Sequence, residues 1–271
     1  MSGFDIFELF GYRFFQNALV GGVVAAVACA SVGLFLILRK QAMLGDGLAH
    51  TAFGGIALGL LLGINPVLMA LAVAMVSVLG ISYMKRKGMA PSDSAIAVML
   101  TLGFSSGLII ISLAYGFNVE LFSYLFGSIL TIDETDLTIV SLLGLFSLIF
   151  IVVFHRELLS MTFDEEESRI MGIPTKSLSL AFDLLVATTI VLSIRVIGIV
   201  LVVALLVLPG LSALQLNLSF RKTIFAAITS GTMSTVFGIL LSALFDVATS
   251  GLIVFTSALF FLLTLAYKKM Q

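Results

Sequence analysis

Apolar runs and short polar connectors alternate along almost the whole chain. Nine runs are free or nearly free of charged residues: 18–38, 47–63, 66–84, 94–117, 137–154, 177–194, 196–216, 223–245 and 251–267. A transmembrane helix needs about 20 mostly apolar residues to cross roughly 30 Å of hydrocarbon. The pattern therefore predicts an all-α, polytopic membrane protein with eight or nine transmembrane helices. The lower count applies if 177–216 forms one long bent segment.

One further apolar stretch, 121–132, is too short to cross a bilayer as a helix. We interpret it as a re-entrant or interfacial helix. Such a segment is tolerated only where protein or a water-filled cavity satisfies its backbone hydrogen bonds.

The composition supports the membrane assignment. Hydrophobic residues make up 60% of the chain and charged residues 11%, and the mean hydropathy is +1.22. Soluble domains carry about 25% charged residues, so an ordinary globular enzyme is excluded. The sequence contains no Gly-x-x-x-x-Gly-Lys-Ser/Thr loop for nucleotide phosphates. We therefore expect a single transmembrane domain over 1–271 that is not itself an enzyme.

Basic residues predict which way the helices run. They cluster at the ends of apolar runs, at Arg39–Lys40, Lys85–Lys87, His155–Arg156, Arg221–Lys222 and Lys268–Lys269. The positive-inside rule assigns such clusters to the cytoplasm. If all nine runs cross, every cluster lies inside and the N-terminus lies outside. Arg195 is the exception, because it falls on the outer side between two runs.

Acidic residues fall mainly on the opposite side of this topology. Glu120, Asp133 and Glu134 form a possible outer acidic rim that would raise the local concentration of cations. Exposed charges are screened within about 8 Å at physiological salt. Ordinary solvated loops are the alternative interpretation.

The longest polar stretch, 162–174, predicts a short cytoplasmic helix. Asp164 is a plausible N-cap, and Glu165 and Glu166 lie in the first turn, where the helix dipole favours acidic side chains. Gly172 fits the position after the last turn, and Pro174 prevents continuation. A short polar helix without an apolar face needs a partner, or else it is an ordinary loop helix.

Two ionisable residues stand at the start of the second apolar run. Asp46 and His50 are spaced i, i+4, so a helix places both side chains on one face. A carboxylate and an imidazole are two ligands for a divalent metal, although a complete site needs about four to six. Alternatively, Asp46 is only the N-cap of the span and His50 donates to a neighbouring carbonyl. Glycines around this pair let neighbouring helices approach closely: Gly45, Gly47, Gly54, Gly55 and Gly59.

Ionisable residues inside spans are costly and are read as functional by default. Asp183 is the other such residue. It lies about one and a half turns into the run 177–194, close enough to reach the interface.

Four stretches, taken in order, resemble the permease subunit of the metal-ion ABC importers of the manganese, zinc and iron family. Leu36–His50 resembles the family's basic residues followed by Gly-Asp-x-x-x-His, and Leu121–Leu130 is similar to its Phe-Gly-x-Ile-Leu segment. Phe163–Pro174 resembles the cytoplasmic coupling loop, and Ile194–Gly210 the Val-Gly-x-Leu-Leu-Val-x-Ala-Leu-Leu-x-x-Pro span. After Pro209 the chain departs from the family, whose members often have small residues and an arginine there.

The resemblance implies a type II-like importer fold in a bacterial cytoplasmic membrane. It implies a homodimer of permeases, cytosolic ATPase subunits and an extracellular metal-binding lipoprotein, and no nucleic acid. Asp46 and His50 would contact the metal in transit. Asp164, Glu165, Glu166 and Gly172 would belong to a coupling helix, about 164–174, that docks on the ATPase.

The metal is cargo, so no permanently bound cofactor is expected. An oxygen and imidazole pair suits manganese, and the absence of a His-rich loop from the sequence argues mildly against zinc. Zinc or iron is the alternative cargo. A stand-alone secondary transporter is the alternative class, but it predicts inverted repeats with broken helices in both halves. No convincing second copy of the Gly-Asp-Gly-x-x-His segment occurs in the sequence.

Overall fold

Helices account for nearly all of the residues that the structure, a computed structural model, describes. These residues are 10–114, 119–127 and 134–270, with the side chains of 119–122 left out. Within them the helices are α1 (Arg13–Leu38), α2 (Ala42–Leu62), α3 (Pro66–Arg86), α4 (Ser92–Leu113), α5 (Val119–Phe126), α6 (Glu134–Phe163), α7 (Glu165–Ile170), α8 (Thr175–Ile197), α9 (Ile199–Gln215), α10 (Phe220–Phe245) and α11 (Thr249–Met270).

Eight of these helices are long and apolar enough to cross a bilayer: α1, α2, α3, α4, α6, α8, α10 and α11. The remaining apolar run, 196–216, becomes α9, which has 17 residues and is shorter than these eight helices. The prediction of an all-α, multi-pass membrane protein is confirmed. The run 177–216 is not one continuous helix, because Gly198 interrupts it between α8 and α9.

Helix α6 is much longer than the apolar run that predicted it. Its 30 residues correspond to about 45 Å at 1.5 Å per residue, against a hydrocarbon core of roughly 30 Å. The helix therefore continues through His155 and Arg156, which the sequence had suggested as the border of a span. Only Asp164 separates α6 from the short helix α7.

The described residues group into two compact units. Those of Met1–Leu34, Ser123–Leu145 and Ser193–Gln271 form one, and those of Phe35–Phe122 and Phe146–Leu192 form the other. We call these the first and the second unit.

The second unit contains α2, α3 and α4, which pack against one another. A Cβ atom at Gly54 would collide with the carbonyl oxygen of Gly103 in α4, and one at Gly55 would lie 2.6 Å from the Cα atom of Ala70 in α3. The predicted close approach of neighbouring helices at glycines of α2 is therefore confirmed. The turn after α2 ends at Asn65, whose side chain caps α3 by accepting bonds from the N–H groups of Val67 and Leu68 at 3.0 and 3.2 Å.

The first unit contains a close backbone crossing between two glycines. Gly127 follows α5 with φ +74°, and Gly198 lies between α8 and α9 with φ +82°. A Cβ atom at Gly198 would collide with the backbone nitrogen of Gly127. Both positions therefore require glycine for two reasons: the backbone is left-handed, and there is no space for a side chain. These glycines come from two of the four stretches that carried the family resemblance.

A buried ion pair in the second unit explains why an aspartate, Asp183, occurs within an apolar run. Its carboxylate lies 4.0 Å from the guanidinium of Arg39, and the side chains are 11% and 8% exposed. Arg39 also donates a hydrogen bond to the Ser179 hydroxyl and stacks 5.1 Å from the centre of the Phe182 ring. Burial lowers the pKa of Arg39, and the nearby carboxylates of Asp183 and Glu165 act against this change. Asp183 therefore balances a buried cation at the turn between α1 and α2.

We expect the effects of removing Arg39 and Asp183 on the free energy of unfolding to be coupled. Asp183→Leu leaves Arg39 buried without its partner, and breaking such a pair costs about 3–5 kcal/mol. The double variant Arg39→Leu/Asp183→Leu removes both charges, so it should recover much of that loss. Thermal unfolding of the purified protein in detergent measures both effects. Losses that simply add in the double variant would show that the two charges are not coupled.

Candidate functional site

The two predicted metal ligands lie inside a helix and face each other. Helix α2 begins at Ala42 with Gln41 as its N-cap residue, so Asp46 is more than one turn inside it. The interpretation of Asp46 as the N-cap of the span is therefore wrong. The Nε2 atom of His50 lies 3.4 Å from the Oδ1 atom of Asp46. The i, i+4 spacing brings an oxygen and a nitrogen donor to one place, as the sequence predicts.

The environment of this pair is half-open. The side chains of Asp46 and His50 are 36% and 34% exposed, which leaves their donor atoms within reach of a ligand. The His50 ring packs edge-on against Phe104 of α4, with 5.1 Å between ring centres, and Phe104 in turn contacts Phe53 at 5.4 Å. The aromatic contact holds the imidazole on one side, and the carboxylate meets it on the other.

Glycines set the position of α4 beside the pair. A Cβ atom at Gly47 would lie 2.6 Å from the Cγ2 atom of Ile96, and Gly54 meets Gly103 one residue before Phe104. Phe104 is the contact that sequence reasoning missed, because nothing in the spacing of a membrane helix shows which phenylalanine meets a given histidine.

The donor set of this pair is small. No group of three or more His, Cys, Asp or Glu side chains with the geometry of a metal site occurs within residues 10–114, 119–127 and 134–270. Asp46 and His50 therefore offer one carboxylate and one imidazole. Zinc, manganese and iron sites take four to six ligands. Such an incomplete set suits a cation that passes through better than one held permanently.

The predicted short helix near 164–171 is present as α7. The Asp164 carboxylate caps it by accepting a bond from the N–H of Glu167 at 2.9 Å. Gly172 has φ +89°, and the N–H of Ile173 donates to the carbonyl of Ser168 at 3.1 Å, the bond expected where a helix ends in a left-handed residue. Glu165 and Glu166 are exposed. The side chain of Ser168 points inward, 2.7 Å from the hydroxyl of Ser160 in α6.

Exposed apolar residues lie at both ends of α7. Phe163 ends α6, Ile170 is the last residue of α7 and Met171 follows it, and they are 84%, 84% and 65% exposed. The other residues of the helix, 165–169, are polar. The apolar residues escape a helical-face analysis because they lie at the ends of a helix of only six residues.

The predicted outer acidic rim can be located only in part. Asp133 and the side chain of Glu120 lie outside the described residues. Glu134, at the start of α6, is 84% exposed and lies 3.6 Å from Arg13. An exposed pair of this kind contributes roughly 0–1 kcal/mol. Nearby, Asp136 is 4% exposed and pairs with Arg195 at 2.7 Å, which gives a partner to the arginine that broke the basic pattern.

A family model described as the ABC 3 transport family matches residues 11–268. The chain belongs to this family. It is 32% identical to the manganese transport system membrane protein MntC of Halalkalibacterium halodurans, over 100% of this chain and 94% of that one. It is 32% identical to the manganese import system permease protein ScaB of Streptococcus gordonii, over 94% and 92% of the two chains. It is 31% identical to a probable iron transport system membrane protein of Haemophilus influenzae, over 98% of each chain.

Solved structures agree with the family assignment. The structure of PsaBC from Streptococcus pneumoniae in complex with Fab matches at a TM-score of 0.85 and 31% identity, over 96% of this chain and 95% of that chain. A metal-chelate type ABC transporter in an inward-facing conformation matches at 0.72 and 15% identity, over 93% and 85%, and shares the fold. This family member is a multi-pass protein of the bacterial inner membrane and the translocation subunit of a metal importer. The family assignment favours an ATP-driven importer over a stand-alone secondary transporter.

Helix packing beside the pair can be tested with two glycines. Gly54→Ala should destabilise the protein by about 1–3 kcal/mol, because its methyl group meets the Gly103 carbonyl and overpacks the α2–α4 contact. Metal uptake should fall together with the stability, since α4 carries Phe104, which packs against His50. Gly251→Ala in α11 is the matched control, because nothing lies within 4 Å of its added Cβ atom. Thermal unfolding and uptake in cells measure both variants. Equal effects of the two would contradict the packing role.

Proposed function

We propose that this permease carries a divalent transition metal, manganese, along a path on which Asp46 and His50 are transient ligands. The observation that supports this most directly is the 3.4 Å pair of one carboxylate and one imidazole, half-open and inside a membrane helix. Among residues 10–114, 119–127 and 134–270, neither side chain forms an ion pair with a residue outside this pair, so both can bind a passing cation. Two donors bind weakly enough for release, which conduction requires.

Manganese is the proposed cargo for two reasons. A hard carboxylate oxygen with one imidazole suits manganese, whereas soft thiolate ligands are absent from this pair. Relatives that are 32% identical over almost their whole length carry manganese in their names. Iron is the second candidate, because a 31% identical relative is named for iron transport. Zinc stays a third candidate, since nitrogen and oxygen sites generally bind zinc more tightly than manganese.

The assembly that we propose contains two copies of this permease, a cytosolic ATPase and an extracellular metal-binding protein that delivers the cargo. Helix α7 and its flanks form the ATPase contact. Asp164 and Gly172 fix the two ends of α7, and Ile170 and Met171 offer exposed apolar surface where a soluble partner can bury it. Glu165 and Glu166 add charge at the rim of that surface. The outer acidic residues Glu120, Asp133 and Glu134 would attract cations on the opposite side.

Loss of either ligand should stop transport without affecting assembly. In cells that lack other manganese importers, Asp46→Ala and His50→Ala should each lower uptake of radiolabelled manganese by about tenfold or more. Losing even an outer-shell partner of a metal site typically costs 10–100-fold in affinity. Met43→Ala is the control, because Met43 is exposed on the same helix one turn earlier. Wild-type uptake by both ligand variants would overturn the proposed site.

The identity of the cargo is decided by the same uptake assay. A binding measurement is a poor discriminator, because the affinity order favours zinc at most such sites. Excess iron(II) or zinc should therefore be tested as competitors, and the accumulated metal measured by elemental analysis. Accumulation of zinc or iron in place of manganese would reassign the cargo and leave the ligand pair intact.

Coupling to the ATPase should depend on α7 and on the turn that ends it. Gly172→Ala forces a Cβ atom into a backbone with φ +89°, and Ile170→Ser removes exposed apolar surface. Both variants, together with Glu166→Ala, should lower metal-stimulated ATP hydrolysis in the purified complex. Asp93→Ala is the control, since Asp93 is also an exposed acidic residue in the first turn of a helix, α4. Unchanged coupling in all three variants would remove the docking role of this segment.

A further inference from the structure

A second candidate binding site lies in the first unit, far along the chain from the metal pair. A groove between α9, α10 and α11 has a volume of about 320 Å³. This volume is at the lower end of the range for small-molecule sites. Its walls include Leu216 of α9, Phe225, Thr229 and Met233 of α10, and Phe260 and Thr264 of α11.

The walls of the groove offer an occupant little to hydrogen-bond. The hydroxyl of Thr229 donates to the carbonyl of Phe225 at 2.8 Å, and that of Thr264 to Phe261 at 2.8 Å. Ser212 likewise donates to Leu208 at 2.8 Å. These three hydroxyl groups already donate to carbonyls of their own helices. The hydroxyl of Ser230, which also lines the groove, has no hydrogen-bond partner among the described residues, but its oxygen is buried. The groove therefore fits an occupant made mainly of hydrocarbon.

Four basic residues of α10 and α11 lie at one end of the groove. The hydroxyl of Thr256 in α11 donates to the carbonyl of Ser234 in α10 at 2.9 Å, and a Cβ atom at Gly238 would meet Ile253. These two contacts fix an antiparallel register, which brings Lys222 level with Lys268. Arg221 and Lys269 are their direct neighbours in sequence.

The positive charge at this end is not neutralised within the unit's helices. Between 199 and 270 the one acidic residue is Asp246, at the opposite end of α10. No salt bridge to Arg221, Lys222, Lys268 or Lys269 forms among the residues that the structure describes. Lys268 instead donates to the side-chain oxygen of Gln215 in α9 at 3.1 Å. A polar contact between α9 and α11 thus lies beside the mouth of an apolar groove.

We propose that this groove binds one anionic phospholipid of the surrounding bilayer, with an acyl chain between α10 and α11 and the phosphate at Arg221, Lys222, Lys268 and Lys269. The length agrees: from Lys222 to Met233 the helix rises about 17 Å, slightly more than half of the roughly 30 Å hydrocarbon core. One leaflet is therefore spanned from headgroup to midplane. Basic pockets between helices on the cytoplasmic side are suited to anionic headgroups. The proposal is independent of the metal path.

The test uses the full-length protein in vesicles of phosphatidylcholine with increasing fractions of phosphatidylglycerol. The midpoint of thermal unfolding should rise with phosphatidylglycerol, and the lipid should be retained on purification, as measured by mass spectrometry. Lys222→Gln/Lys268→Gln removes headgroup contacts, and Ala226→Phe fills the groove, whose wall includes Ala226. Each change should abolish both the rise and the retention.

Two controls separate a site from general electrostatics. Arg86→Gln/Lys87→Gln removes two charges at the end of α3, and Val76→Phe adds bulk at a position that is 66% exposed in α3. Both controls should keep the response to phosphatidylglycerol. A response that survives in both groove variants would overturn the proposal, and so would an equal loss in the two charge variants. Disulfide-linked dimers of Thr229→Cys that form in every lipid mixture would instead assign the groove to a second copy of the chain.

Discussion

The bilayer core cannot solvate charge, and this constraint organises the chemistry of the protein. An ionisable side chain inside a span costs about 2.5–3.5 kcal/mol on insertion scales, so it needs a partner or a functional reason. Asp183 and Arg39 are both buried and form a pair, and the buried Asp136 pairs with Arg195, whose side chain is 41% exposed. These pairs bring opposite full charges together. They need no further ligand to be stable.

The Asp46–His50 pair satisfies the same constraint only in part. Its two side chains are about one-third exposed, and an imidazole carries a full charge only when it is protonated. The Asp46 carboxylate is therefore less well compensated than those of Asp183 and Asp136, which each face an arginine. A divalent cation arriving at this pair improves its electrostatics, which the other two pairs do not need. That difference supports the proposal that Asp46 and His50 bind a passing cation, whereas the two arginine pairs stabilise the fold.

The sequence predicted the features that depend on local spacing. The i, i+4 geometry of Asp46 and His50, the Asp164 cap and the left-handed Gly172 all follow from residues within a few positions of one another. Contacts distant in sequence were not predictable in this way. The contacts of Phe104 with His50, of Arg39 with Asp183 and of Gly127 with Gly198 join residues at least 54 positions apart. Hydrophobic periodicity also gives little information about which helix faces are in contact, because a helix in lipid is apolar on every face.

Close backbone approach is what turns these distant contacts into a site. Gly47 and Gly54 remove the side chains that would hold α4 away from α2, so Phe104 reaches the imidazole of His50. Lipid tails are as apolar as leucine, so helices in a bilayer gain little from apolar burial and much from tight packing. Small residues therefore carry the stabilising contact in the same helix that carries the donors. If Asp46 and His50 bind the metal as we propose, the same packing also positions their donor atoms, and a misplacement of about 1 Å can cost about 100-fold in rate.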